Sequence, residues 1–329
     1  MRGGESAVLE RIEKAESRTG SRNSQLRLGI GDDAALWIPK KGYELVLTCD
    51  WFLEGTHFLR DKHPAEAVGW KCLARAVSDV AAMGAVPRCF LLSLALPSVQ
   101  SGAWFDQFLR GVRRAAKRFR CALAGGDTTR TKTILINVMV VGEVVSGLEI
   151  TRSGARPGDI LFTSGRLGEA ELGLELIRIG KGRVDSRDPV LKKHLYPEPR
   201  IELGRWLAEK RLASAMMDLS DGLSTDLPRL CTASGVGARI ISEKIPAVRV
   251  SRRLGGGYSP LELALHGGDD YELLFTVPAN RLRQIPRSFH GIPLTAIGAI
   301  TKKPTLLLVD EDGRGLPLPN SGWDPFRNS

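Results

Sequence analysis

Residues 64–97 read PAEAVGWKCLARAVSDVAAMGAVPRCFLLSLALP. Pro64 suits a first helical turn, and Gly84 and Pro87 stop what it starts, so the spacing predicts a helix from Pro64 to Met83. Arg88 to Leu96 is apolar and strand-sized, and Pro97 closes it. A long helix running directly into an apolar strand points to an α/β chain. One residue breaks the pattern. Asp79 lies inside the apolar stretch from Ala74 to Met83, where a carboxylate needs a partner or a metal ion.

Working outward, Asp79 is one of six short Asp-bearing segments. The others are Gly31-Asp32-Asp33, Thr48-Cys49-Asp50, Gly125-Gly126-Asp127-Thr128, Asp218-Leu219-Ser220-Asp221-Gly222 and Gly267-Gly268-Asp269-Asp270-Tyr271. Any one alone is ordinary turn or helix-cap chemistry. Together they suggest a Mg²⁺-nucleotide site, because Mg²⁺ is held by a few carboxylates plus substrate phosphates. Glycine beside a carboxylate lets phosphate approach the backbone N–H groups. The chain has no G-x-x-x-x-G-K-[ST], no G-x-G-x-x-G after a strand and no protein-kinase motif set. A bound nucleotide would therefore rest on carboxylate-bridged Mg²⁺ and glycine turns.

Upstream, residues 5–18 read as an amphipathic helix, and Tyr43 to Thr48 is a β-rich run before Asp50. Downstream, Trp104 to Arg120 predicts a helix burying Phe105, Phe108, Val112, Ala115, Ala116 and Phe119. Its arginines and lysines would form a solvated face. A long apolar strand, Ile134 to Val145, follows. The texture changes to Gly, Pro and polar residues near 146–158, which sets a boundary between domains 1–148 and 149–329. The second half restarts with strand Ile160 to Ser164 and helix Gly168 to Ile179, then a charged segment through Asp188. Helix Pro199 to Lys210, a strand into Asp218, a helix from Leu223, and strands Tyr271 to Val277 and Pro304 to Val309 complete it.

The chain has 329 residues, enough for two cored domains, and a net charge of +10. That field attracts phosphorylated anions. Recognition motifs for nucleic acid are missing and aromatics are only 6%, so nucleic acid is not expected as a partner. The five cysteines show no CxxC and the histidines no metal spacing, which argues for reduced thiols and against zinc. No secretory signal and no apolar run of membrane length is visible, so the expected location is cytoplasmic.

Seven segments in order, GIGDDAA, TCD, SDVAAMGAVP, AGGDTTR, TRSGARPGD, MDLSDGLSTDL and HGGDDYELLFTVP, resemble the bacterial thiamine-monophosphate kinase family. That family sits in the superfamily of aminoimidazole-ribonucleotide synthetase and selenophosphate synthetase. The resemblance runs from about residue 29 to about 280. It implies a two-domain α/β aminoimidazole-ribonucleotide-synthetase-like fold. An N-terminal domain would bind ATP and Mg²⁺ and pair in a homodimer; a C-terminal domain would complete the active site. It also implies direct in-line transfer of the γ-phosphate of ATP to thiamine monophosphate, with several Mg²⁺ ions and no protein nucleophile.

Carried over by position, the resemblance makes Asp32, Thr48, Cys49 (through its carbonyl), Asp50, Asp79, Asp127, Asp218 and Asp221 metal ligands. Gly126, Asp127, Arg152 and Ser220 would hold ATP, and His57, Asp269 and Trp323 the acceptor. Two positions depart from the family pattern. Cys49 stands where Thr is usual, and Asp269, one methylene shorter, stands where GGEDYEL has Glu. A superfamily relative with another small acceptor, or a basic binding protein that kept the fold without catalysis, are the competing readings. The six motif aspartates argue against the second.

Overall fold

The computed structural model describes residues 11–12, 14, 25–30, 34–180, 189–250, 257–319, 321–324 and 326. These group into two compact units. Unit 1 takes the described residues up to Val80 and Ala85–Gly147; unit 2 takes Ala81–Gly84, Leu148–Ile179 and the described part of Arg187–Ser329. The predicted N-terminal helix and the charged segment through Asp188 lie largely outside the described residues.

Unit 1 contains β1 (Leu26–Leu28), β2 (Leu36–Trp37), β3 (Tyr43–Leu53), α1 (Ala65–Ala82), β4 (Val86–Leu96), α2 (Ala103–Phe119), β5 (Ala122–Arg130) and β6 (Leu135–Val145). Its main sheet runs β3-β6-β4-β5. Only β4 and β5 are parallel, with α2 as their crossover. The helix buries Phe105, Phe108, Val112, Ala115, Ala116 and Phe119, as its periodicity predicts. α1 and α2 cross backbone to backbone: a Cβ on Gly69 would lie 2.1 Å from the Phe108 carbonyl oxygen, and one on Gly111 1.9 Å from that of Glu66. The sheet is not covered alike on its two faces. Ile136, Val138 and Val140 are fully buried on one, whereas Leu47 and Trp51 on the other are 59% and 57% exposed. A ribbon of β1 and β2 covers part of that outer face through Leu26 and Trp37, beside Leu91 and Val141.

Unit 2 contains β7 (Ile160–Ser164), α3 (Glu169–Ile179), α4 (Pro189–Leu195), α5 (Ile201–Glu209), β8 (Ala215–Leu219), α6 (Leu223–Ser234), β9 (Gly237–Ile241), α7 (Pro260–His266) and β10 (Glu272–Val277). β11 (Ser288–Phe289), β12 (Ile292–Thr301), β13 (Leu306–Val309) and β14 (Gly315–Pro317) follow. The sheet runs β14-β13-β9-β12-β7-β10-β8, with β11 on β12. Its strands pair antiparallel except β9 with β13. One face packs Met217, Leu219 and Leu274 on Leu227 and Leu230 of α6. The other packs Met216, Leu273 and Phe275 on Leu203 and Leu207 of α5. Residues of β8 and β10 are buried throughout, Asp218 and Glu272 among them.

The sequence reading assigns no element to the stretches that form α4, α7, β9 and β12. α7 carried a legible start, since Ser259 accepts from the Glu262 N–H ahead of Pro260. Gly125 to Asp127 is no turn either; it continues β5 after a register shift opposite Phe90 and Leu91.

Candidate active site

In unit 1, alternation along β3 sends Thr48 and Asp50 to the helix-covered face and Cys49 to the outer face. The Thr48 hydroxyl donates to Asp79 Oδ2 at 2.5 Å, so a β3 side chain accommodates the acid inside the apolar helix α1. Cys49 Sγ instead pairs with the Asn137 amide at 3.2 Å. The Thr-to-Cys departure therefore leaves the Thr48–Asp79 face untouched.

Asp127 does not join them within one chain. Asp50 aligns with Val138, Leu92 and Gly126, a buried-face row. Asp127 aligns with Ser93, Asn137 and Trp51, an outer-face row. β3 and β5 are the two edges of the sheet, three strand spacings or about 14 Å apart. Asp50 and Asp127 thus sit at opposite edges and on opposite faces. Gly126 is dictated by the sheet itself, because at φ 154° a Cβ would lie 1.9 Å from the Leu92 carbonyl oxygen. His57 follows β3, and its Nδ1 accepts from the Leu53 N–H at 3.0 Å. In the neutral ring that bond places the proton on Nε2.

Unit 2 brings four of the named residues to one tip. The Asp269 N–H donates to the Ser220 carbonyl at 2.8 Å, that of Tyr271 to Leu219 at 2.9 Å, and that of Trp323 to Asp221 at 3.0 Å. The DLSDG and GGDDYEL segments and the tail are thus stitched together by main-chain bonds. Asp218 is buried on β8, on the face of Met216. Arg152 stays apart. It is exposed, and its neighbour Thr151 accepts from Met216 N–H at the start of β8, about 13 Å of strand from Ser220.

Residues not assigned from sequence brace this tip. Asp226 of α6 accepts the Ser220 and Asp221 N–H groups, both at 3.0 Å. Burial, with the Asp221 charge behind it, pushes Asp226 up to about 6. Arg229, one turn along α6, reaches both Asp226 (2.8 Å) and Asp221 (2.5 Å). Asp270 caps the start of α3 by accepting from Gly168 N–H at 2.6 Å and Ala170 N–H at 3.2 Å, and its burial pushes it up to about 7. Glu272 is fully buried, yet Lys193 and Arg200 overcome that burial and hold it at about 2. The sequence signals were available: an acid and an arginine three apart on one helix, and two acids flanking Tyr271.

The donor set of hydroxyl and carboxylate oxygens suits a hard divalent cation. Among the described residues of the single chain, no three His, Cys, Asp or Glu side chains converge as a complete metal cage. Mg²⁺ asks for less, one or two carboxylates with phosphates, and the Thr48–Asp79 face and the Asp221 tip each offer that. Asp32 lies outside the described residues.

Residues 31–144 match the AIR synthase related protein N-terminal domain, and residues 156–310 its C-terminal domain. The thiamine-monophosphate kinase of Escherichia coli K12 is 38% identical over 314 residues, 94% of this chain and 95% of that protein. The crystal structure of thiamine-monophosphate kinase from Stenotrophomonas maltophilia superposes with a TM-score of 0.81 at 34% identity, covering 94% of this chain and 97% of that one. AaThiL complexed with AMPPCP and TMP superposes at 0.77 with 35% identity, covering 98% and 97%. At this identity over nearly the full length, and with both domain matches in order, the chain belongs to the thiamine-monophosphate kinase family of AIR-synthase-related proteins.

Proposed function

We propose that this protein transfers the γ-phosphate of ATP to the phosphate of thiamine monophosphate, giving thiamine diphosphate and ADP. The observation that carries the reading is the full-length likeness to a relative solved with AMPPCP and TMP, a nucleotide analogue and an acceptor together. A phosphate oxygen of the acceptor forms the new bond to the γ-phosphorus, and the bond to the β-bridging oxygen of ATP breaks. Donor and acceptor are both anionic, so positioning and charge neutralisation dominate the barrier. Mg²⁺ held by Asp32, Thr48, Asp50, Asp79, Asp127, Asp218 and Asp221, with the Cys49 carbonyl, would supply that neutralisation.

The protein's own groups orient the reactants. Gly126, Asp127, Arg152 and Ser220 would hold the ATP phosphates, all four by resemblance. His57 would meet the acceptor by resemblance, and Asp269 and Trp323 extend from the braced tip of unit 2. No side chain is asked to act as nucleophile.

The sheet of unit 1 supports a homodimer and gives it a chemical purpose. Its outer face leaves Leu45, Leu47 and Trp51 exposed, an apolar strip suited to a second copy. Asp127 lies on that face and Asp50 on the other, so a site using both takes them from different copies. Each of the two sites would then hold the Thr48–Asp79 side of one sheet and the Asp127 edge of its partner.

No helix among the described residues is long and apolar enough to cross a membrane, and none of the five cysteines is in a disulfide; a cytoplasmic enzyme fits both. The test is direct. Incubated with ATP, Mg²⁺ and thiamine monophosphate, the protein should yield thiamine diphosphate, yield none with thiamine, and lose activity with EDTA. Product absent while ATP still binds would pass the acceptor question to the superfamily relatives.

A further inference from the structure

We infer that Tyr271 and His194 are positioning residues that fix the Asp269 carboxylate for an amino group on the acceptor's heteroaromatic ring. The inference deepens the proposed function and rests on Asp269 contacting the acceptor.

Asp269 and Tyr271 both hold left-handed backbone, at φ 66° and 50°, where residues with a Cβ are strained. Strain at two positions so close persists only when the surroundings over-determine it. Here they do. Main-chain bonds tie both residues to Leu219 and Ser220. Between them Asp270 caps α3, and after them Glu272 is locked by Lys193 and Arg200.

The outcome is a carboxylate with defined surroundings. The Tyr271 hydroxyl donates to Asp269 Oδ1 at 2.6 Å, from a ring only 2% exposed. His194 of α4, equally buried, places Nδ1 4.0 Å from Oδ2. Asp269 itself keeps a side-chain exposure of 22%, enough for a ligand to reach it. A bond to Oδ1 fixes the carboxylate plane, and an ionised carboxylate has acceptor sites beyond the one that bond takes, so it keeps an accepting edge. The complement to that edge is an N–H donor, such as the amino group of an aminopyrimidine. Asp in place of the family's longer Glu shortens the reach, and a clamped carboxylate tolerates little wandering.

The experiment is steady-state kinetics on Tyr271→Phe and His194→Gln, with the double variant Tyr271→Phe/Asp269→Asn, using thiamine monophosphate and its 4-oxo analogue. Tyr271→Phe removes one hydroxyl and keeps the buried ring. The expected result is an acceptor KM raised about tenfold, the scale of one charge-assisted hydrogen bond, with kcat and the ATP KM unchanged. The preference for the 4-amino acceptor over the 4-oxo analogue should shrink. The double variant should be no worse than Asp269→Asn alone, because Tyr271 acts through Asp269. An unchanged acceptor KM in Tyr271→Phe overturns the inference, as does a fall in both substrates' kcat/KM together with the thermal midpoint. His194→Gln serves as the independent second test, judged by the same KM split. A wild-type protein that makes no thiamine diphosphate would instead remove the proposed function beneath it.

Discussion

The two sheets of this protein solve burial in opposite ways. In unit 2, β8 and β10 are covered on both faces, and even Glu272 inside the sheet has two cationic partners. In unit 1 only the helix-covered face is closed, and exposed Leu47 and Trp51 mark the other. One sheet is covered within a single chain, whereas the other leaves an apolar strip exposed. The difference reaches the chemistry. The tip of unit 2 gathers Ser220, Asp221, Asp269 and Trp323 by itself, while unit 1 separates Asp50 from Asp127 across its full width.

The sharpest way to break the comparison is to mix defective subunits. Asp50→Asn and Asp127→Asn should each lower kcat on the order of 10³-fold, the scale of losing one electrostatic stabiliser of phosphoryl transfer. If the two residues meet only across copies, co-refolding both variants one to one should return about a quarter of wild-type activity. Half of the dimers would then be mixed, each with one intact site of two. No recovery, with mixed dimers shown by mass spectrometry, would put both residues in one chain's site and overturn the argument from the sheet rows.

The self-sufficiency of unit 2 is tested next by Glu272→Gln. It leaves Lys193 and Arg200 without their buried counter-charge, at a cost of about 3–5 kcal/mol of stability. The sign with pH follows from the lowered value. Glu272 has an ordinary value of 4.5 and is held at about 2, so its stabilisation is full above 4.5 and lost as pH falls toward 2. Thermal midpoints should therefore converge between wild type and Glu272→Gln as pH falls through that window. Parallel curves would mean the ion cluster contributes nothing to folding.

Unit 1 predicts a smaller, association-linked effect. Trp51→Glu places charge in the exposed strip and should shift the protein from dimer to monomer by analytical ultracentrifugation, with far-UV circular dichroism unchanged. A variant still dimeric at micromolar concentration would mean that another surface pairs the copies.

What could be read from the sequence divides along the same line. The α1–β4 stretch and the basic α2 face were legible because each has a single strong period over many residues. β12 was not, since Gly298 and Pro293 interrupt its alternation, and Gly298 is demanded by the approach of Arg239 O. The carboxylates were legible as motifs, but nothing local says that Asp50 and Asp127 face apart. That follows only from strand order and register. Arg229 and His194 act by where α6 and α4 dock, which no short segment encodes.

The smallest predicted effect compares two neighbours on β3. Thr48→Ala removes the hydroxyl that donates to Asp79, and leaves that acid beside the core with one partner fewer; activity should fall about tenfold. Cys49→Thr restores the family residue one position along, on the opposite face. There the side chain meets Asn137 rather than Asp79, so the thermal midpoint should move by no more than about 0.5 kcal/mol equivalent and kcat by less than about twofold. A ligand role through the Cys49 carbonyl survives the exchange, because the main-chain oxygen is the same in both residues. A large gain in activity on Cys49→Thr would mean that the side chain at this position, and not its carbonyl, belongs to the metal site, and that the faces of β3 are assigned the wrong way round.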